Sequence, residues 1–235
     1  MTATRNTRRP VTIALLAIVA VVAALVAPAF ASEHDDHAAG HSHDVAHHGE
    51  PPRALNARQA AFHDQMRKLW EDHVTWTRLA IVTFADGSPG FNASAGRLLQ
   101  NQTDIGNAIK PFFGDPAGDR LTALLHDHIT IAVELLQAAK AGDSTALADA
   151  SRRWYANAND IADFLAAANP RFWPQPEMRA AMKEHLDQTL AEAVDELSGN
   201  YAASVTDYDA IHAHILEMAD TLSSGIMRAF PQRFH

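Results

Sequence analysis

The chain has 235 residues, of which 47% are hydrophobic and none is cysteine. It is therefore long enough to bury a core, and disulfides, cysteine-based zinc modules and thiol catalysis are excluded. The formal net charge is −9 at pH 7, with 19 lysine and arginine residues against 28 aspartate and glutamate residues. This acidic balance disfavours nucleic acid or an anionic membrane as the partner and is compatible with cations.

The first 31 residues have the composition of a secretory signal peptide. They begin with a basic segment that contains three arginines, residues 11–26 are almost entirely apolar, and residues 29–31 (Ala-Phe-Ala) fit the small-residue rule for cleavage. The alternative is an uncleaved anchor, because residues 11–31 are just long enough to span a bilayer. In both cases we expect the folded part to lie outside the cytoplasm, in the periplasm, at the cell surface or secreted.

Residues 32–53 form a second segment, with many histidines and acids but few apolar groups, which we interpret as a disordered tail. Neutral imidazoles bind late divalent ions such as Zn²⁺, Cu²⁺ and Ni²⁺, and neighbouring carboxylates add favourable charge. The composition predicts weak, multivalent metal capture, whereas a solvated linker is the alternative. The histidines of this tail are His34, His37, His41, His43, His47 and His48.

From residue 54 onward, apolar residues recur with the helical period and no alternating strand pattern appears. Residues 54–235 are therefore predicted to form an all-α helical bundle. Cap and breaker residues divide it into six helices, with Asp115 as the N-cap of the third and Pro111 as the end of the second. The expected bounds are about 55–84, 93–110, 116–142, 144–169, 177–199 and 206–230.

Polar residues repeat along these helices with a period of about 56 residues. Acid-His-aliphatic steps occur at residues 72–74, 127–129 and 184–186, and Asn-x-x-Asp-Ile occurs at residues 101–105 and 157–161. His214 occupies the corresponding place in the third unit. A repeat of this length predicts three tandem helical hairpins.

Each of the six helices carries one histidine or asparagine within its apolar stripe. An unpaired buried polar group costs about 1–3 kcal/mol, so these groups must bond to one another or to a ligand. We expect a core site for a divalent transition metal (Zn, Cu or Ni), in which histidines converge and acids act as ligands or outer partners. Its candidate residues are His73, His128, His185 and His214, with Asp104, Asp160 and Glu217.

Two other functions are compatible with the sequence. In the first, the protein is a metal-free structural or partner-binding bundle, and the sole role of the buried polar groups is to fix the register of the helices. A metal-dependent hydrolase would need an open coordination position and a base such as Glu217 or Asp104. Because the chain has no phosphate-binding glycine loop, no nucleophile elbow, no H-E-x-x-H and no E-x-x-H, metal binding or sequestration is the leading expectation.

Four sequence blocks resemble a family of bacterial extracytoplasmic helical proteins. They are LWEDHVTWTR (69–78), GRLLQNQTDIGNAI (96–109), residues 141–165 and HAHILEMAD (212–220). Some members carry glycosyltransferase-type labels, but this sequence has no strand pattern and no nucleotide-sugar motif. The resemblance implies a helical fold with shared polar positions at His73, Asn101, Asp104, Asn157, Asp160, His214 and Asp220.

Overall fold

The computed structural model describes residues 54–235, which form six α-helices, a short 3₁₀ turn (Pro231–Arg233) and no strand. The expectation of an all-α bundle is thereby confirmed. The predicted signal peptide (1–31) and histidine-rich tail (32–53) lie outside the described residues. The helices are α1 (Ala57–Ala85), α2 (Phe91–Phe113), α3 (Asp115–Ala141), α4 (Ser144–Ala168), α5 (Gln175–Ser198) and α6 (Tyr201–Ala229).

The helices are arranged as a closed ring. Each helix packs against its neighbours in sequence, and α6 returns to pack against α1. Short connections make consecutive helices antiparallel, so α1, α3 and α5 run in one direction and α2, α4 and α6 in the other. Equivalent positions of the three hairpins therefore lie at similar depths. Large apolar side chains fill the interior, among them Trp70, Ile161, Leu186, Ile215 and Ile226.

Three predicted boundaries were wrong. Helix α2 continues through Pro111 to Phe113, because Pro111 lies in its last turn and the two phenylalanines that follow pack against the core. Gly114, at φ 85°, turns the chain between α2 and α3, so Asp115 is the first helical residue and not the N-cap. Helix α6 begins at Tyr201, several residues earlier than expected, and its first turn buries Ser204 completely.

Other helix ends follow from local chemistry. Asn56 accepts hydrogen bonds from the backbone of Arg58 and Gln59, and the Gln59 side chain accepts one from the Asn56 backbone, which completes a capping box. Asp143 caps α4 by accepting hydrogen bonds from two backbone amides at 3.1 and 3.0 Å.

Within residues 54–235, no helix combines the length and apolarity needed to cross a bilayer.

Helices α2 and α3 approach each other unusually closely. A Cβ atom added to Gly106 would lie 2.6 Å from the carbonyl oxygen of Gly118 and would also collide with the Thr122 hydroxyl. The two backbones can touch here only because both residues are glycine. This contact fixes how closely the first hairpin approaches the second.

We expect Gly106→Ala to lower the free energy of unfolding by about 1–3 kcal/mol, because the added methyl group overpacks a backbone contact. Gly96→Ala, on the same helix, is the matched control: no atom of residues 54–235 lies within 4 Å of its new Cβ. Because the position is exposed, this variant should gain about 0.5–1 kcal/mol from helix propensity. Urea unfolding of both variants measures the difference. Equal stabilities would contradict the close approach of α2 and α3.

Candidate functional site

The same interhelical hydrogen bond occurs once in each of the three helical hairpins. A side-chain N–H on an even-numbered helix donates to a backbone carbonyl on the preceding helix, and that carbonyl lies four residues before the buried histidine of the repeat. The bonds run from Asn101 Nδ2 to Leu69 O (3.0 Å), from Asn157 Nδ2 to Leu124 O (3.1 Å) and from His214 Nε2 to Ala181 O (2.9 Å). These bonds hold each even-numbered helix at a set height against its partner.

Three histidines meet inside the ring that these bonds align. His73, His128 and His185 come from α1, α3 and α5, and each is only 3% exposed. All three line one cavity of about 50 Å³ whose other walls are mainly apolar. The ring centroids of His73 and His185 are 5.5 Å apart. We call these three side chains and their polar partners the imidazole layer.

The hydrogen bonds around His128 define its tautomer. Its Nδ1 lies 2.8 Å from Asn157 Oδ1, and the Asn157 amide nitrogen is already engaged with Leu124 O. His128 Nδ1–H therefore donates, which leaves Nε2 with a lone pair. The ring also stacks on Trp154, with centroids 5.2 Å apart. Burial lowers the pKa of His128 to about 4, although the Asn157 hydrogen bond opposes the shift.

His73 has the opposite arrangement. Its Nδ1 lies 3.1 Å from Gln102 Nε2, which can only donate, so Nδ1 accepts. The amide orientation of Gln102 is supported by two further acceptors near the same nitrogen, Leu98 O and Asn101 Oδ1. Burial and the nearby His128 lower the pKa of His73 to about 3. This imidazole is therefore neutral at pH 7.

His185 differs from the other two because its Nδ1 is buried and has no hydrogen-bond partner within residues 54–235. The sequence provides the reason. In the second repeat, Asn157 forms hydrogen bonds with both Leu124 O and His128 Nδ1. The third repeat has His214 at the position of Asn157. His214 bonds Ala181 O through Nε2 and has no oxygen to offer His185. Burial, followed by the neighbouring histidines, holds the pKa of His185 well below its ordinary value.

Other polar atoms near the histidines are also unsatisfied. Trp70 Nε1, Gln102 Oε1 and Trp154 Nε1 are buried without a partner in the described part of the chain. Trp154 lines the cavity, and Trp70 packs edge-on against His73. Buried polar groups are normally paired, so these atoms leave two N–H donors and one amide oxygen acceptor unused near the three imidazoles.

Four of the seven residues predicted for the core site lie elsewhere. His214 lines a separate cavity, and Asp160 and Glu217 lie outside the imidazole cavity at more accessible positions. Asp104 is half-buried and lies near two other side chains, Gln100 Nε2 at 3.1 Å and Arg97 at 3.6 Å. The acids were expected in the core because residues three apart share a helix face, but three residues advance a helix by about 300°, so each carboxylate points about 60° to one side of the inward-facing Asn or His and lies at the edge of that face.

The remaining three histidines do not form a ready-made coordination site. Among residues 54–235, no three His, Asp or Glu side chains are placed so that they could hold one metal ion. The two residues suggested as bases for a hydrolase, Asp104 and Glu217, do not line the imidazole cavity.

Gln102, which is completely buried and is the partner of His73, was not among the residues predicted from the sequence. Its spacing of four residues from Leu98 was the available signal. Sequence reasoning also missed an internal ion pair, in which Arg78 donates to Glu192 Oε1 at 2.6 Å and to Ser204 Oγ at 3.0 Å. Burial raises the pKa of Glu192 to about 7, against the effect of Arg78. This pair ties α1 to α5 and α6.

No family model, curated protein or solved structure matches the chain. The resemblance to a bacterial extracytoplasmic helical family therefore stays a prediction.

We expect His128→Gln to reduce the pH dependence of stability. An unfolded histidine titrates near pH 6.5 and folded His128 near 4, so the unfolded state binds more protons between these values. Stability is therefore lost as pH falls through this window, by about 2 kcal/mol at pH 5 for this one residue. Urea unfolding at pH 7 and pH 5 should therefore show that the variant loses about 2 kcal/mol less stability between these pH values than the unmodified chain does.

Glu192 acts in the opposite direction, so the informative quantity is the difference between the variant and the unmodified chain. The folded pKa of Glu192 is raised, so it contributes stability that is lost as pH rises towards 7, and this contribution is common to both proteins. His235→Gln removes an exposed imidazole and serves as the control. The same pH dependence in His128→Gln and in the unmodified chain would contradict a neutral, buried His128.

Proposed function

We propose that this protein binds divalent transition-metal ions outside the cytoplasm, with the histidine-rich tail as the collecting segment and the imidazole layer as the inner site. One observation carries the proposal: three buried imidazoles from equivalent positions line a single cavity, and His185 Nδ1 among them has no partner within residues 54–235. A buried polar atom without a partner is uncommon in folded proteins, and a bound ion can supply the missing contact.

The protonation state of the layer supports this proposal. Metal ions bind neutral imidazole, and protons compete for the same lone pair. His73 and His128 have pKa values of about 3 and 4, so both are in the metal-binding form at neutral pH. Imidazole nitrogen suits Zn²⁺, Cu²⁺ and Ni²⁺, which leaves the three ions as alternatives.

The inner site requires the rings to turn when an ion binds. His128 Nε2 has a free lone pair, and its Nδ1–H bond to Asn157 is the outer contact that metal-ligating histidines usually make. Among the described residues, His185 Nδ1 has no hydrogen bond that would resist rotation of the ring. His73 would have to change its tautomer or its bond to Gln102. We therefore assign His128 and His185 as the principal ligands and His73 as a third ligand.

The tail supports the same function from its composition. Six histidines fall between residues 34 and 48, together with Asp and Glu residues. Several weak ligands on one segment raise the local concentration of ions near the bundle. The proposal also includes export, because residues 1–31 have the composition of a signal peptide.

A full-length chain with all six tail histidines changed to Asn separates the inner site from the tail. After dialysis against Zn²⁺, Cu²⁺ or Ni²⁺ and removal of excess metal, elemental analysis should find one ion per chain for the preferred metal. Adding His185→Gln should abolish it, because that residue is a principal ligand and loses no Nδ1 hydrogen bond on substitution. Adding His212→Gln instead, at a half-buried position where His212 contacts Glu71, should leave the ion bound.

Two outcomes would contradict the inner site. One is a tail-substituted chain that retains no ion, and the other is an ion that persists after His185→Gln. Circular dichroism of each variant establishes that the helices are intact. Metal binding by the unmodified chain alone would then assign the ions to the tail.

A specific observation favours the second candidate, a metal-free bundle in which polar residues only fix register. The hydrogen bond from an even-numbered helix to a carbonyl recurs in all three hairpins, and it needs no ligand. On this account His214→Asn should raise the free energy of unfolding by about 0.5–1.5 kcal/mol, since the new Oδ1 could accept from His185 as Asn157 Oδ1 does from His128.

Urea unfolding without metal measures this effect, and Asn157→His, the reverse exchange in the second repeat, is the matched control. That variant should be destabilised because His128 Nδ1–H loses its acceptor. A destabilised His214→Asn would contradict the register-only function.

A further inference from the structure

A second cavity, of about 140 Å³, lies between α5 and α6 and is separate from the imidazole cavity. Three methionines and one histidine line it: Met178, Met182, Met218 and His214. The chain has six methionines in all, so half of them face this one space. Leu165, Ala181 and Leu222 contribute apolar wall, and Glu217 also lines it.

The four side chains share the cavity because of their spacing on two paired helices. Met178 and Met182 are four residues apart on α5, and His214 and Met218 are four residues apart on α6. Side chains four residues apart lie on one face of a helix, one turn above the other. Since α5 and α6 pack together as a hairpin, the two pairs face each other.

Within residues 54–235, the histidine of this group has one ring nitrogen without a hydrogen-bond partner. His214 Nε2 lies 2.9 Å from Ala181 O, so Nε2–H donates and Nδ1 keeps its lone pair. Glu184 Oε2 is 3.9 Å from Nδ1, too far for a hydrogen bond. A backbone carbonyl that holds one imidazole nitrogen in this way fixes the tautomer and ring orientation for a ligand at the other.

The donors are soft and largely shielded from water. Met178, Met182 and Met218 are 7%, 4% and 7% exposed, and the His214 side chain is 10% exposed. Thioether sulfur prefers Cu(I) over harder divalent ions, and it carries no proton that the metal must displace. The Glu217 carboxylate and the acidic net charge of the chain favour a cation at the cavity.

From this juxtaposition we infer that Met178, Met182, Met218 and His214 bind a soft monovalent cation, Cu(I), between α5 and α6. The site uses different atoms from the imidazole layer and a different oxidation state from the ions proposed there. The inferred Cu(I) site goes beyond the proposed function, and it can be tested independently of the imidazole layer. The alternative occupant of the same space is hydrocarbon alone, with the methionines as adaptable core side chains.

Ag(I), a redox-inert probe of the same softness, tests the site in the full chain whose six tail histidines are Asn, so that the tail does not compete for the ion. With ¹³C-labelled methionine methyl groups, one equivalent of Ag(I) should shift the NMR signals of Met178, Met182 and Met218. Met66 and Met227, which do not line this cavity, are internal controls and should not move. Equal shifts of all methionines, or none, would overturn the inference.

Competition with a chromophoric Cu(I) chelator, under anaerobic conditions, tests the ligands in the chain whose tail histidines are Asn. Met182→Leu and Met218→Leu should each weaken Cu(I) binding at least about tenfold, since the loss of even an outer partner of a metal site costs about 10- to 100-fold. Met66→Leu is the matched control, because it makes the same exchange at a buried methionine outside the cavity. An unchanged affinity in Met182→Leu and Met218→Leu would overturn the inference.

The two proposals fail in distinguishable ways. A chain that retains no divalent ion but shifts its three methionine signals with Ag(I) would contradict the proposed function and sustain this site. A chain that holds one divalent ion, lost on His185→Gln, but shows no Ag(I) response would do the reverse.

Discussion

A side-chain donor on each even-numbered helix bonds a backbone carbonyl on the helix before it, and the arrangement of the interior depends on this bond. Because it occurs at equivalent positions in all three hairpins, it sets each even-numbered helix at the same height against its partner. His73, His128 and His185 each lie four residues after the accepting carbonyl, and the packing of the three hairpins into a ring brings them to one cavity. This order buries three imidazoles, which the apolar surroundings keep neutral.

At the position that bonds the backbone carbonyl, the third hairpin has His214 where the second has Asn157. His214 preserves the bond to the carbonyl but removes the oxygen that Asn157 offers to His128. Two consequences follow from this one exchange: His185 keeps an unpartnered nitrogen among the described residues, and an imidazole enters the methionine-lined space between α5 and α6. Both candidate metal sites therefore depend on the residue that breaks the symmetry of the repeat.

Much of the fold could be predicted from the sequence, because apolar spacing and turn residues define helices locally. The repeat also predicted the inward orientation of His73, His128 and His185. The boundary at Pro111 was missed because core packing of Phe112 and Phe113 outweighs the effect of a proline in a last turn. Asp104, Asp160 and Glu217 were misplaced because a motif gives spacing along the chain, whereas burial depends on the rotation of the whole helix within the ring. The pairing of Gln102 with His73 and the methionine cavity could not be derived, since both depend on which helices become neighbours.

The most direct measurement is a ¹⁵N NMR titration of the histidine side chains in the full chain, which reports tautomer and protonation ring by ring. The account predicts that His73 and His128 stay neutral at pH 5, with the proton on Nδ1 of His128 and on Nε2 of His73, and that the pKa of His185 lies well below its ordinary value. Protonation of these three rings near pH 6.5, or a tautomer of His128 with the proton on Nε2, would contradict it.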